Sequence, residues 1–279
     1  MRMTLRQIYY RLVAKLIIPN TMNQYKALSK LLVKARENGD VDYREIEDRA
    51  RTTIGGDYGW ESPKAYFNYH LSDFQDSWMG YSMKMWETQQ KYVEVWVEKD
   101  ALSRVVSDVA RKFNVRTCPS KGYSSFTYIM DAVQRLNLYV DKDVLILYAG
   151  DYDPSGLDIT RDLKERMLKY GASVTVERIA LSLDQINEYQ LPPMPAKKSD
   201  PRYAKFVADT GGADAVELDA LEPPVLQEIV RNAINSHIDQ DEWHNRILKT
   251  EEGKQKLKEA FDSIIINTDL VDEEFEDED

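Results

Sequence analysis

The sequence predicts an α/β protein built around a parallel β-sheet, and three observations support this class. Between residues 92 and 180, short β-branched segments alternate with amphipathic helical segments, as in sheets whose parallel strands are joined by helices. Segment 143–150, Asp-Val-Leu-Ile-Leu-Tyr-Ala-Gly, is almost wholly apolar, which is typical of a strand buried on both faces. With 279 residues, of which 43% are hydrophobic and 30% charged, the chain can bury one large core or two ordinary ones.

The sheet region is predicted element by element from these patterns. The expected strands cover residues 92–98, 114–119, 143–150 and 173–180, and the expected helices cover residues 100–113, 124–138 and 157–170. We therefore expect one parallel-sheet domain over residues 91–181.

The amino-terminal segment is predicted to be helical and basic. Thr4 is a candidate N-cap for a first helix, a second helix runs from Met22 to Asn38, and residues 42–50 form a short third one. Residues 1–36 carry eight basic side chains and no acidic one. Three short helices with this charge favour a helix-turn-helix or winged-helix unit that meets phosphates, while a solvated helix face stays the alternative.

The remaining chain contains a connector, a helical region and an acidic tail. Residues 54–90 are aromatic-rich with one helix over 63–78, and we expect core packing of these aromatics rather than stacking on bases. Helices are expected over 223–238 and 250–265. The predicted organisation is thus residues 1–90 with the connector, 91–181, a helical region over 182–266 and a disordered tail over 267–279.

Composition excludes several classes of protein. One cysteine rules out a disulfide framework or a cysteine-rich zinc module and fits a reducing compartment. No apolar run reaches the roughly 18 residues of a membrane span, and no secretory signal follows Met1, so we expect a soluble intracellular protein. Eight acids in residues 269–279 dominate the net charge, which would be −3 rather than −11 without them.

Three acidic residues are predicted at the carboxyl ends of strands. Glu98 ends the first strand, and Asp151 and Asp153 follow the buried third strand. Ligands of open α/β sheets gather at this edge, and carboxylates without histidine or cysteine select Mg²⁺ or a related ion such as Mn²⁺. The alternative is that these acids cap the helices that follow.

The motifs around these acids resemble those of a Toprim domain. They are Val97-Glu98-Lys99-Asp100-Ala101-Leu102, then Lys121-Gly122-Tyr123, then Gly150-Asp151-Tyr152-Asp153-Pro154-Ser155-Gly156. The version present is similar to the A subunit of DNA topoisomerase VI and to the related meiotic double-strand-break transesterase. The resemblance covers residues 92–180 well and the connector and carboxyl-terminal third poorly. It implies a Toprim domain preceded by a winged-helix-like, catabolite-activator-like domain.

In that family the winged-helix domain carries the nucleophilic tyrosine in an Arg-acid-hydrophobic-aromatic-Tyr motif. Residues 6–10, Arg-Gln-Ile-Tyr-Tyr, occupy the matching place, so the resemblance implies that Tyr10 is the nucleophile and Tyr9 a packing aromatic. Tyr10 lies off the apolar stripe of its helix between Arg6 and Arg11, so we expect it to be exposed beside positive charge, which favours the phenolate. Gln7 replaces the usual acid of the motif. Because the chain begins almost at this motif, we expect no extension that engages an ATPase subunit, and ATP-coupled strand passage is not implied.

The resemblance implies a Mg²⁺-dependent DNA-cleaving enzyme that forms a 5′-phosphotyrosyl bond through Tyr10. Asp151 and Asp153 would hold the ion, and Glu98 would share it or act as general acid or base. The residues expected to contact the DNA backbone are Arg6, Arg11, Lys26, Lys30, Lys34, Lys99 and Lys121. In the family the tyrosine of one protomer reaches the metal of the other, which implies a homodimer on double-stranded DNA, in the cytoplasm on the nucleoid, or in a nucleus. Two other hypotheses stay open: a Toprim phosphodiesterase that uses metal-activated water, and a DNA-binding protein without activity.

Overall fold

A four-stranded parallel sheet forms the centre of the fold in a computed structural model that describes residues 3–46, 56 and 59–264. Its strands, in the order β2-β1-β3-β4 across the sheet, are β1 Lys91–Val97, β2 Arg116–Pro119, β3 Asp143–Ala149 and β4 Thr175–Ala180. All three strand pairs are parallel, so the predicted α/β class with a parallel sheet is confirmed. Val97 pairs with both Pro119 and Ala149, which brings the carboxyl ends of three strands to one edge.

Helices connect the strands of this sheet and also precede and follow it in the chain. They are α1 Leu5–Ala14, α2 Met22–Glu37, α3 Pro63–Asp76, α4 Ser103–Ala110, α5 Phe126–Leu136, α6 Pro154–Lys169, α7 Leu183–Glu188, α8 Tyr203–Thr210, α9 Pro223–Asn235 and α10 Gln240–Asp262. A small antiparallel pair joins β5 Met194–Pro195 to β6 Asp214–Ala215. Short 3₁₀ turns, including one at Leu218–Ala220, connect several of these elements.

Helices cover both faces of the central sheet. Successive strand residues point to opposite faces, so each strand contributes side chains to both layers. Tyr92, Trp96, Ile146 and Tyr148 point to one side, where they pack against the apolar faces of α5 and α6. The other side contacts α4 and α9. The result is a three-layer arrangement of helices, sheet and helices.

Local sequence signals explain where most helices begin. The hydroxyl of Thr4 accepts a hydrogen bond from the backbone of Gln7, whose side chain accepts one from the backbone of Thr4 in return, a reciprocal cap. Thr21 caps α2, and Ser62 caps α3 ahead of Pro63. The amino-terminal boundaries of α1 and α2 therefore agree with the sequence prediction.

Two helices begin earlier than predicted because an aspartate caps each of them. Helix α10 begins at Gln240, ten residues before the predicted start, because Asp239 caps it. Helix α6 begins at Pro154 because Asp153 caps it. Of the predicted third helix over 42–50, a single 3₁₀ turn at Tyr43–Glu45 is seen, and residues 47–50 lie outside the described part of the chain.

The chain divides into two compact units that do not follow the order of the sequence. One comprises Met1–Arg51 with Gln90–Ile238, and the other Thr52–Gln89 with Asp239–Asp279. The first unit thus contains both the amino-terminal helices and the sheet. The predicted acidic tail lies outside the described residues. Within the described ranges, no helix has the length and apolar character needed to cross a membrane.

The second unit carries an exposed aromatic cluster, contrary to the expectation of core packing. The indole of Trp60 lies 4.9 Å from the ring of Tyr69 and 5.2 Å from that of Tyr66, and His70 packs among them. Trp60 is 50% exposed, and both tyrosines are exposed. The unit is held instead by contacts of its two helices, such as the rings of Phe74 and Phe261 at 4.9 Å.

Candidate active site

Glu98 and Asp151 meet at the carboxyl edge of the sheet, where β1 and β3 end. The carboxylate Oε2 of Glu98 accepts a hydrogen bond from the backbone N–H of Asp151 at 2.9 Å. A Cβ at Gly150 would lie 2.6 Å from that oxygen and 2.6 Å from the ring of Tyr148, so a larger residue there would displace these side chains. Burial, followed by the neighbouring charge of Asp151, raises the pKa of Glu98 to about 7.

The carboxylate of Asp151 is buried and held by two donors. Its Oδ1 accepts a hydrogen bond from the backbone N–H of Leu218 at 2.7 Å and lies 3.0 Å from Nζ of Lys99. Burial raises the pKa of Asp151, although Lys99 and the Leu218 amide oppose this shift. Asp151 is therefore fixed in orientation by a residue more than sixty positions later in the chain.

Asp153 caps helix α6, as the alternative interpretation of the strand-end acids predicted. Its Oδ1 accepts hydrogen bonds from the backbone N–H of Gly156 at 2.6 Å and from the hydroxyl of Ser155 at 3.1 Å. A Cβ at Gly156 would overlap the carbonyl oxygen of Asp151. The cap uses one carboxylate oxygen, Oδ1, so the other, Oδ2, can still serve as a metal ligand.

The buried guanidinium of Arg178 braces the loop that carries both aspartates. It donates to the carbonyl oxygens of Leu181 at 3.0 Å, Gly156 at 2.9 Å, Gly150 at 2.9 Å and Asp151 at 2.5 Å. These bonds tie both ends of the loop to the end of β4. Sequence reasoning missed Arg178, because an arginine in a strand gives no sign of which carbonyl groups it will meet.

Lys99 lies among three carboxylates. Its Nζ is 3.0 Å from Asp151 Oδ1, 2.8 Å from Glu217 Oε2 and 2.7 Å from Asp219 Oδ2. Burial alone would lower the pKa of Lys99, but Asp151, Asp219 and Glu217 outweigh it and raise the pKa above its ordinary value. Lys99, predicted as a DNA contact, is thus an internal cation of the site in this structure.

Glu217 and Asp219 were not among the predicted site residues. They are brought in by a backbone bridge, in which Tyr152 N–H donates to Val216 O at 2.8 Å and Val216 N–H donates back at 2.9 Å. The available signal was the spacing Glu217-Leu218-Asp219, which repeats the acid-x-acid pattern of Asp151 and Asp153. The sequence could not show that the two pairs share one edge.

Arg6 joins the same cluster from helix α1. Its Nη2 lies 2.8 Å from each carboxylate oxygen of Glu217, and its Nε lies 3.8 Å from Asp219 Oδ2. Burial alone would raise the pKa of Glu217, but Lys99 and Arg6 outweigh it and lower the pKa. Glu217 is therefore an anion shared by two cations.

Tyr10 is also part of this cluster, but it is buried rather than exposed. Only 4% of Tyr10 is accessible, because α1 packs on the 3₁₀ turn at Leu218–Ala220. Its hydroxyl interacts with the Glu217 carboxylate, and burial followed by this negative charge raises its pKa. The expected phenolate-favouring environment is thus wrong for the structure described. Tyr9 is buried beside it, in an edge-to-face contact at 5.2 Å.

The other predicted DNA contacts fall in two groups. Lys121 lines a cavity of about 320 Å³ together with Arg6, Glu98, Lys99 and Asp219. Lys121 adopts a left-handed backbone conformation, with φ at 52°, and its ammonium lies 3.5 Å from Asp100. The second group does not line this cavity. It comprises the part-buried Arg11 on α1 and three exposed lysines on α2, Lys26, Lys30 and Lys34.

The strand-end acids match Mg²⁺ in the kind of donor they offer. Glu98, Asp151 and Asp153 each bind protein donors through one oxygen, and the other carries no hydrogen bond to the described residues. Carboxylate oxygens of this type are the ligands that Mg²⁺ prefers. Among the described side chains, however, no three His, Cys, Asp or Glu residues converge closely enough to hold one ion. Binding by all three acids therefore requires their side chains to rotate.

Comparison with known proteins adds no family to this description. No protein-family model matches the chain, and no curated protein is significantly similar to it. The resemblance to Toprim proteins is therefore based on the motif residues and on a sheet compatible with that fold.

Proposed function

We propose that the protein is a DNA-cleaving enzyme of the topoisomerase VI A-like type, with a Toprim site and Tyr10 as nucleophile. One observation carries the proposal. Tyr10 and Arg6, from the first helix, share a cluster with Lys99 and Asp151 at the sheet edge, although roughly ninety or more residues separate them in the chain. Convergence of a tyrosine, cations and strand-end acids is what phosphoryl transfer to a tyrosine requires.

In the proposed reaction the Tyr10 oxygen attacks a DNA phosphorus atom and the bond to the 3′-oxygen breaks. The phenolic proton passes to Glu217, the carboxylate whose charge acts on the hydroxyl. The leaving 3′-oxygen takes a proton from Glu98, whose pKa of about 7 allows it to hold one near neutral pH. The 5′-phosphate stays linked to Tyr10, and the 3′-hydroxyl can reverse the reaction.

The proposed cofactor is Mg²⁺ or Mn²⁺, held by Asp151 and Asp153, while Glu98 keeps its proton for the leaving oxygen. When bound, the ion would neutralise the charge that develops on the phosphate. Arg178 supports this role by fixing the backbone from which both aspartates project.

The proposed partner is double-stranded DNA. Arg6, Arg11 and the exposed lysines of α2 would contact phosphates, which gives affinity without sequence choice. The amino-terminal helices would act as a winged-helix-like, catabolite-activator-like unit. A homodimer would provide one site for each DNA strand. The resemblance implies that each tyrosine serves the metal of the other protomer, but Tyr10 interacts with Glu217 and Lys99 of its own chain, so we propose that each tyrosine acts beside the acids of its own chain. An ATPase subunit is not part of the proposal.

Burial of Tyr10 favours a second candidate, phosphodiester hydrolysis with water as the nucleophile. A phenol that is 4% exposed and bound to a carboxylate is poorly placed to attack unless α1 moves. In this case Tyr10 has a structural role.

The test is cleavage of supercoiled plasmid with Mg²⁺ or Mn²⁺, stopped with detergent and analysed with and without protease. Wild type is compared with Tyr10→Phe and Asp151→Asn, and with Tyr43→Phe as a matched control at an exposed tyrosine. We expect breaks whose ends migrate freely only after protease, lost in the first two variants and kept in the control. Breaks that ignore protease and survive Tyr10→Phe would instead establish hydrolysis. DNA binding without breaks would refute both activities and leave a binding protein.

A further inference from the structure

Arg6 and Lys99 surround one carboxylate in the way that protein cations surround a phosphate. Nη2 of Arg6 lies 2.8 Å from both oxygens of Glu217, and Nζ of Lys99 lies 2.8 Å from one of them. Charge-assisted contacts of a guanidinium and an ammonium with paired oxygens are typical of phosphate recognition. The oxygen pair of Glu217 thus takes the place of two oxygens of an oxyanion.

We infer that Arg6 and Lys99 form a binding site for one backbone phosphate of DNA, and that Glu217 occupies this site in the DNA-free protein. The inference depends on the DNA-binding part of the proposed function and not on the nucleophile. It identifies Glu217 as an internal competitor of the substrate.

The accessibility of the participants shows how a phosphate can enter. The side chain of Arg6 is 46% exposed and that of Glu217 17%, whereas that of Asp219 is fully buried. The cavity lined by Arg6, Lys99 and Lys121 opens on the same cations. Glu217 can therefore be displaced through the open side, while Asp219 keeps Lys99 in place.

The charges of the cluster explain why displacement is needed. The carboxyl groups of Asp151, Glu217 and Asp219 face the two cations Lys99 and Arg6, so the cluster has no positive charge left over for a phosphate. A phosphate therefore finds no net attraction at this cluster until Glu217 moves away.

Release of Glu217 has a second consequence, because the same carboxylate interacts with the Tyr10 hydroxyl. Phosphate binding and release of the tyrosine are thereby coupled.

The experiment measures binding of a short fluorescein-labelled duplex by anisotropy in EDTA, where metal-dependent cleavage does not take place. Glu217→Gln removes the competing charge and should bind about tenfold more tightly, as expected for one charge contact at intermediate dielectric. The slope of log affinity against log salt should steepen by about one unit, because the phosphate contact then releases a counterion. Glu222→Gln, at an exposed acid nearby, should change affinity less than about twofold.

Two further variants keep the test decisive if Glu217→Gln does not fold. Glu217→Asp retains the charge but shortens the side chain by one methylene, so it should raise affinity by a smaller factor. Adding Arg6→Met to either variant should abolish the gain, because the freed phosphate site includes Arg6.

Equal or weaker binding by both Glu217 variants, or a gain that persists without Arg6, would overturn the inference. A gain in affinity together with no covalent DNA product from wild type would support the phosphate site and refute the transesterase. A covalent DNA product from wild type without any gain in affinity would support the transesterase and refute the phosphate site.

Discussion

Replacing Lys99 with methionine should destabilise the protein strongly, because the ammonium is the shared partner of three carboxylates. Its Nζ lies 2.7–3.0 Å from Asp151, Glu217 and Asp219, and its side chain is mostly buried. Without it, the fully buried carboxylate of Asp219 has only Arg6 as a described cation, at 3.8 Å. Removing one member of a buried ion pair costs about 3–5 kcal/mol. A loss of about 4 kcal/mol changes the ratio of folded to unfolded protein roughly a thousandfold.

The loss of stability in Lys99→Met should become smaller as the pH falls. Burial raises the pKa of Asp151 in the wild type even though Lys99 opposes it, so this pKa should rise further in Lys99→Met. A carboxyl group whose pKa is higher in the folded than in the unfolded state loses stability as pH rises through that interval. The deficit of the variant should therefore be largest at neutral pH and should shrink as pH falls towards about 4.

Urea denaturation of wild type and Lys99→Met at neutral and acidic pH measures both effects. Lys121→Met is the matched control, because Lys121 is 68% exposed and 3.5 Å from Asp100, and its loss should change stability by less than about 1 kcal/mol. A loss below about 1 kcal/mol in Lys99→Met, or one that does not diminish in acid, would refute the reasoning about the cluster.

Three further predictions concern residues around the sheet. Arg135→Met should lower the free energy of unfolding by roughly 3 kcal/mol in urea denaturation, because the fully buried carboxylate of Glu94 loses hydrogen bonds of 2.7 and 3.0 Å. A double variant that also carries Glu94→Gln should recover most of this stability. An equally unstable double variant would contradict the prediction. Since the pKa of Glu98 is about 7 in the folded protein against an ordinary value of 4.5, its ionisation should cost the wild type roughly 3 kcal/mol of stability as pH rises through this interval. Glu98→Gln should remove this contribution and leave the part due to Asp151. Identical pH profiles of stability for wild type and Glu98→Gln would show that the pKa of Glu98 is not raised. In Gly156→Ala the new methyl group should overlap the carbonyl oxygen of Asp151, which should cost about 1–3 kcal/mol of stability and reduce DNA cleavage. Gly212→Ala is the control, because no atom lies near that position, and it should change neither stability nor cleavage. Equal melting temperatures of the two variants would argue against crowding at Gly156.

Much of the fold follows from local sequence. The apolar run of β3 and the β-branched residues of β1 predict buried strands because both faces of a parallel sheet are covered. Thr4 and Thr21 mark helix starts because their hydroxyls accept bonds from the first free amides. The predicted meeting of Glu98 and Asp151 at one edge is confirmed, because β1 and β3, which precede them, are parallel neighbours.

Burial at the site could not be predicted in the same way. Tyr10 lies off the main apolar stripe of α1, and its burial depends on a turn at Leu218–Ala220, some two hundred residues later. A helical pattern describes one helix, and it contains no information about which segment will pack against the flank of that helix.

The sequence by itself determined the parallel α/β class, the helix caps and the positions of the strand-end acids, because these depend on neighbours within a few residues. Only the tertiary structure decided that Glu217 and Asp219 join them, through the bridge between Tyr152 and Val216. It also decided that Lys99 and Arg6 are bound by these carboxylates. The physical reason is that charge pairing and burial depend on contacts between segments distant in the chain, whereas strands and caps depend on local geometry.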